Sequence, residues 1–120
     1  MITLICGRPR AGKTTYSKRF ENVIHLDDSR FRSLEDRYDW VLDRICGMKG
    51  DVVIDGIYST PEQRKKLLHS YSGTGSKCIW IDTDINIISQ RYVVFKRPPY
   101  PFTEPSYDEG WDEIIVINEK

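Results

Sequence analysis

The sequence predicts an α/β fold, with a parallel sheet of about five strands and helices on both faces, stacked as three layers. Three observations carry this expectation. Short strand-like runs alternate with helical patterns along the chain, as strand–helix–strand crossovers require. The runs Ile2–Cys6, Asp51–Asp55 and Cys78–Ile81 are nearly continuous in apolar residues, the pattern of strands covered on both faces. The first of them ends at a glycine that opens a Gly-rich segment followed by a helical pattern. At 120 residues the chain has the common size of one domain with one core, so a single domain over 1–120 is expected.

Each element follows in order. Ile2–Cys6 reads as a buried strand stopped by Gly7, and Lys13–Phe20 as the helix after it. Val23–Leu26 is a second strand, closed by Asp27-Asp28. From Arg30 onward Phe31, Leu34, Tyr38, Val41, Leu42 and Ile45 recur at helical spacing, with Gly47 as the stop. Asp28 or Ser29 is the expected cap of that helix. Asp51–Asp55 is the third strand; Thr60-Pro61-Glu62-Gln63 combines a capping box with proline at the first helical position, so a helix runs to about Tyr71. After the loop Ser72-Gly73-Thr74-Gly75-Ser76, Cys78–Ile81 is the fourth strand, and Thr83 or Asp84 caps a helix to about Tyr92. Residues 96–110 are proline-rich and read as irregular, and Glu113–Ile117 is the last strand. In such a fold functional groups gather at the carboxyl ends of the strands.

Composition excludes several classes. Eighteen basic residues balance eighteen acidic ones, which rules out a uniformly basic nucleic-acid coat. The balance is uneven: residues 1–97 hold 17 Lys/Arg and 12 Asp/Glu, residues 98–120 one Lys and six Asp/Glu, so an anion-binding face belongs to the first part of the chain. Cys6, Cys46 and Cys78 show no paired spacing, and His25 and His69 stand alone; neither a disulfide framework nor a zinc site is expected. Cys6 and Cys78, inside apolar runs, read as small core residues. No apolar stretch is long enough to span a membrane, and the first residues lack a basic leader. A cytoplasmic protein without a membrane partner is the expectation.

Gly7-Arg8-Pro9-Arg10-Ala11-Gly12-Lys13-Thr14 matches G-x-x-x-x-G-K-[ST] in full. The chemistry explains the spacing. Glycines let backbone N–H groups wrap phosphate oxygens, the following helix start adds positive potential, Lys13 reaches the transferred phosphate and Thr14 ligates magnesium. The match lies after an apolar strand and opens a helix, where the mechanism requires it. The expected fold is therefore the P-loop NTPase sandwich, with ATP and Mg2+ as cofactors. Gly7, Arg8, Pro9, Arg10, Ala11, Gly12, Lys13, Thr14 and Thr15 form the expected nucleotide site; for Arg8 and Arg10 solvent is the alternative partner.

Asp55 ends a hydrophobic strand, the position that holds magnesium in such enzymes; the alternative is a plain Asp55-Gly56 turn. Asp27-Asp28-Ser29-Arg30 follows the second strand. A carboxylate there can take the proton of an attacking hydroxyl, and an arginine three residues on can hold an acceptor phosphate. Arg91, Lys96 and Arg97 precede Pro98-Pro99, where cations over a triphosphate would stabilise transition-state charge; a solvated cluster is the plainer reading for Lys96. Trp40, Trp80 and Trp111 read as packing residues, while Phe102, Tyr107 and Trp111 also suit a base-facing role.

Together these residues resemble the polynucleotide 5′-kinase group of small P-loop kinases, which includes zeta-toxin-like and related phage kinases. The likeness spans nearly the whole chain. It includes Asp55 followed by Pro61-Glu62-Gln63-Arg64, the segment ending in Arg91, and Glu104-Pro105 with Glu109-Gly110 before the last strand. It implies Asp27 as general base, Arg30 as ligand of an acceptor phosphate, and Arg91 as a catalytic lid residue that also contacts the nucleotide. Two positions depart from that pattern: Arg10 replaces a usual glycine, and Phe95 stands where a second lid arginine is common.

The expected activity is ATP-dependent transfer of a γ-phosphate to a hydroxyl at a nucleic-acid 5′ end, or on a modified nucleotide. Lys13, Asp27 and Arg91 are the expected catalytic residues, Asp27 and Arg30 the substrate contacts, and Thr14 and Asp55 the metal ligands. Only about two dozen residues separate the second and third strands, enough for one helix, which favours an open site for a polymer end. The alternatives are a kinase for a small molecule and a nucleotide-binding module without phosphoryl transfer; the absence of an Asn-Lys-x-Asp stretch disfavours a GTP switch.

Overall fold

The computed structural model describes residues 1–8, 13–83 and 102–119, without the side chains of residues 14, 15, 83, 118 and 119. Its strands are β1 (Ile2–Cys6), β2 (Val23–His25), β3 (Val52–Asp55), β4 (Ser76–Thr83) and β5 (Glu113–Glu119), and its α-helices are α1 (Lys13–Ser17), α2 (Leu34–Ile45) and α3 (Pro61–Ser70). The strands form one all-parallel sheet in the order β2-β3-β1-β4-β5. Every residue of β1 is buried, as its central place demands. Ile2 pairs with Val52 on one side and Ser76 on the other.

The order decides where the helices lie. From β1 the chain crosses past β3 to reach β2, and then returns through β3 to β4. Right-handed crossovers run in opposite directions put their helices on opposite faces. Two separate clusters follow from the strand alternation. Ile2, Leu4, Cys6, Val52, Ile54, Cys78 and Trp80 face α2 and α3, meeting Tyr38, Val41, Ile45 and Leu67. Ile5, Ile79 and Ile81 face the other way, toward Tyr16 of α1 and Phe20. Cys6 and Cys78 belong to the first cluster, with their sulfurs 3.6 Å apart.

Several boundaries differ from the sequence reading, each for a local reason. α1 ends at Ser17 rather than Phe20, because Arg19 and Phe20 donate their N–H groups three residues back, to Tyr16 (3.2 Å) and Ser17 (3.0 Å), the tighter turn that ends helices. β2 stops at His25, and Leu26–Asp28 form a 3₁₀ turn. α2 begins at Leu34, not near Arg30, and its cap is Ser33, whose Oγ accepts from the Asp36 N–H at 3.0 Å. Neither Asp28 nor Ser29 caps it; the buried Ser29 accepts instead from the Phe31 N–H at 3.3 Å. α3 carries the expected capping box at Thr60 and Gln63. β4 and β5 run longer than expected because their parallel pairing extends from Lys77↔Glu113 to Thr83↔Glu119. Residues 107–109, expected to be irregular, form a 3₁₀ turn ending at Gly110 with φ 113°, a conformation glycine adopts without strain. The expected helix after Thr83 and the stretch 96–101 lie outside the described residues. Among the described residues no helix is long and apolar enough to cross a membrane.

Candidate functional site

β1 and β3 are neighbours whose onward connections leave in opposite directions; a crevice forms at the carboxyl ends of such a pair. Gly7 follows β1 and is buried, Asp55 ends β3, and His25 ends β2 directly opposite Asp55 in the register. Lys13 opens α1 on the far side of the loop, and its Nζ donates back to the Arg8 carbonyl at 2.8 Å. Burial pulls the Lys13 ammonium below its ordinary pKa, while the charges of Asp55, Cys6 and Asp27 oppose that shift. The fold thus brings Lys13, Asp27 and Asp55, three residues far apart in sequence, within electrostatic reach of each other. A desolvated ammonium held on the Arg8 carbonyl gains from an anionic ligand.

Asp55 is buried, and its Oδ2 lies 3.0 Å from His25 Nδ1. His25 was not legible as a site residue: it reads as isolated in sequence, and only the β2–β3 register sets it beside Asp55. The other Asp55 oxygen has no hydrogen-bond partner among the described residues. Hard carboxylate oxygen suits magnesium, so Asp55 fits the role of metal ligand. Among the described residues no group of three or more His, Cys, Asp or Glu is placed to hold a metal by itself. Thr14 and Thr15 lie in α1, their side chains outside the description.

Asp27 stands in the 3₁₀ turn after β2, exposed, with its Oδ1 3.5 Å from an Arg37 nitrogen. Arg37, which carries no motif, also donates from Nε to the Phe31 carbonyl at 2.7 Å. One side chain of α2 thereby ties down both ends of the loop carrying Arg30. Arg30 is exposed and makes no ion pair among the described residues. Pro9, Arg10, Ala11, Gly12, Arg91, Phe95, Lys96 and Arg97 lie outside the described residues.

A second constellation stands beside Arg8. Phe102 stacks on Trp80, rings 6.1 Å apart and 12° from parallel, with the Arg64 guanidinium 5.6 Å and the Arg8 guanidinium 5.9 Å from its centre. Arg64 is fully buried. It donates to both Glu109 oxygens at 2.7 and 3.0 Å, to the Tyr58 carbonyl at 2.7 Å and to the Glu104 carbonyl at 3.3 Å. Glu109 also accepts from Trp111 Nε1 at 3.0 Å and the Ser106 N–H at 3.2 Å. Burial alone would raise the Glu109 carboxyl, but the Arg64 and Trp111 hydrogen bonds and the Arg64 charge outweigh it and hold it below its ordinary value. Trp111 and Phe102 are therefore packing residues here, as Trp80 is. Tyr107 is exposed, with its hydroxyl accepting from the Ile114 N–H at 3.3 Å.

Tyr58 closes the strand end. It holds a left-handed backbone, φ 39°, rare for a bulky residue, and its ring covers Gly56 so closely that a Cβ there would lie 2.8 Å from it. Its ring is 4.7 Å from that of Tyr38. A cleft of about 280 Å³ opens between α2 and α3, lined by Leu34, Tyr38, Leu42, Tyr58, Gln63 and Lys66 among others. Lys13, Asp27, Arg30 and Asp55 do not line it. Set against models of known families and against curated proteins, the chain matches none.

Proposed function

We propose that this chain is an ATP-dependent kinase of the P-loop sandwich type, acting on a hydroxyl at a nucleic-acid 5′ end. The feature that supports the reading is that Lys13, Asp27 and Asp55 stand after or at the ends of β1, β2 and β3, with both carboxylates in electrostatic reach of the Lys13 ammonium. It answers the loop motif Gly7–Thr14 with a cation for phosphate, an exposed carboxylate for a proton and a buried carboxylate for a metal.

In this reading Lys13 gives up its contact with the Arg8 carbonyl and takes a phosphate oxygen. Its depressed basicity recovers there, because an anion favours the charged amine. Asp55, oriented by His25, and Thr14 would hold magnesium, and the ion would supply positive charge to the phosphoryl oxygens. Asp27 is exposed, so an attacking hydroxyl can reach its carboxylate and pass its proton there. Arg30, on the same loop, faces an acceptor phosphate, and Arg91 contributes lid charge.

The test offers ATP labelled on the γ-phosphate together with 5′-hydroxyl DNA, 5′-hydroxyl RNA, nucleosides, or water alone. Label on oligonucleotide supports the reading; label only on nucleosides makes it a small-molecule kinase, and binding without turnover removes phosphoryl transfer altogether. Asp27→Asn preserves shape and loses proton acceptance, so turnover should fall about 100- to 10,000-fold with ATP affinity retained. Asp28→Asn is the control in the neighbouring position.

A further inference from the structure

We propose that Arg37 is a positioning residue for Asp27: its guanidinium holds one oxygen of the carboxylate so that the other meets the attacking hydroxyl. The role rests on the kinase reading and adds to it a residue that no sequence pattern marks.

A base must lie within hydrogen-bond reach of the proton it takes, and geometry comes before basicity. Asp27 cannot supply that geometry alone. It stands on a short 3₁₀ turn with its side chain 86% exposed, where an unheld carboxylate changes rotamer freely. Two cations stand near it. Lys13 is in electrostatic reach but turns to phosphate in the proposed reaction. Arg37 stays: its Nε–H donates to the Phe31 carbonyl at 2.7 Å while Nη1 lies 3.5 Å from Asp27 Oδ1. The guanidinium is a planar, rigid fork, so fixing one prong sets the direction of the other. Arg37 belongs to α2, whose Tyr38 and Val41 are buried in the core. The support is therefore a packed helix rather than a loop, the more precise mount for a reacting group.

Only one oxygen is taken. Among the described residues Oδ2 of Asp27 makes no hydrogen bond and no ion pair. In the proposed transfer the acceptor O–H proton passes to the carboxylate as the hydroxyl oxygen bonds the γ-phosphorus. The bond from that phosphorus to ADP breaks, with its electron pair left on ADP. Oδ2 is the oxygen free to take the proton, and Arg37 aims it, as a third group orients the base in other proton relays. A separation of 3.5 Å is long, as such contacts often are before substrate arrives. An exposed ion pair adds little to stability, so this one can be broken without unfolding the chain.

The experiment measures steady-state transfer of labelled γ-phosphate to the 5′-hydroxyl oligonucleotide or nucleoside that the parent phosphorylates, with Tm and ATP affinity as controls for folding. Arg37→Ala should lower kcat by about 10- to 100-fold, since a displacement of about 1 Å costs a reacting group about 100-fold. The KM of ATP and of the acceptor should each stay within about twofold. Arg37→Lys, charged but without the fork, should fall between parent and Arg37→Ala. In an Asp27→Asn background Arg37→Ala should cost about twofold at most, because its effect passes through the carboxylate already removed. Fully multiplicative losses in that double variant overturn the proposal, as does a loss confined to the acceptor KM, which assigns Arg37 to the loop carrying Arg30. Parent-like kcat in Arg37→Ala sinks the positioning role and leaves the kinase reading standing. A parent that transfers phosphate to no hydroxyl sinks both.

Discussion

Replacing Arg64 by methionine tests how the segment 102–111 is fastened to the strand ends. The change keeps most of the side-chain volume and removes the guanidinium, leaving the Glu109 carboxylate buried without its cation and the Tyr58 and Glu104 carbonyls without their donor. Breaking a buried ion pair from one side costs about 3–5 kcal/mol. The lower half of that range applies, because Trp111 Nε1 and the Ser106 N–H still hold the carboxylate. Against a total of about 5–15 kcal/mol for a domain of this size, the loss should be plain in urea denaturation as a lower midpoint with an unchanged slope. The double variant Arg64→Met, Glu109→Leu should lose about 1–3 kcal/mol less than the two single changes added together. The pH dependence has a definite sign. Glu109 binds its proton more weakly folded than unfolded, so its contribution is complete above the ordinary carboxylate pKa and fades as pH falls through the lowered folded value. Variants without Glu109 should lack that acid limb. A parent-like midpoint for Arg64→Met, or strict additivity in the double variant, refutes the reasoning.

Other outcomes follow from single contacts. Lys13→Ala should keep the fold and weaken ATP binding by about 10- to 150-fold, the worth of a charge-assisted hydrogen bond; calorimetric titration giving the parent's affinity rejects Lys13 as a phosphate ligand. Gly56→Ala sets a methyl 2.8 Å from the Tyr58 ring and 2.9 Å from Leu26 Cβ, so it should destabilise by about 1–3 kcal/mol, seen as a lower Tm. Ser33→Ala should cost about 1 kcal/mol and Ser33→Asn almost nothing; equal losses in denaturant midpoint would contradict the cap assignment.

Elements set by local chemistry were legible: β1 from its apolar run, α3 from Thr60 and Gln63, the stop at Gly47. The start of α2 was not, because helical spacing continues back through Phe31 and Asp28 or Ser29 suggests an earlier cap, whereas the Asp36 N–H on Ser33 sets the start. At the site, Lys13, Asp27 and Asp55 were readable because each ends or begins an element with a recognisable pattern. His25 and Arg37 were not. Their roles arise from register and from a helix packing back on a loop, relations between segments that no short motif encodes. Arg64 and Glu109 were visible as residues of a resemblance, but their burial against each other was not, since Arg and Glu ordinarily lie at the surface.

The central place of β1 has a consequence for assembly. Ile2 through Ile5 find partners only on Val52–Asp55 and, on the other side, from Ser76 onward. During synthesis β1 must therefore wait, unpaired and apolar but for Thr3, until β3 and then β4 have been made. Pairings so distant in sequence slow folding and lengthen exposure of sticky segments. The carboxyl end of β1, where Gly7 follows, is flanked on both sides only once β3 and β4 have closed on it. Burial of Ile2–Cys6 should thus appear in a single late step rather than growing in with chain length.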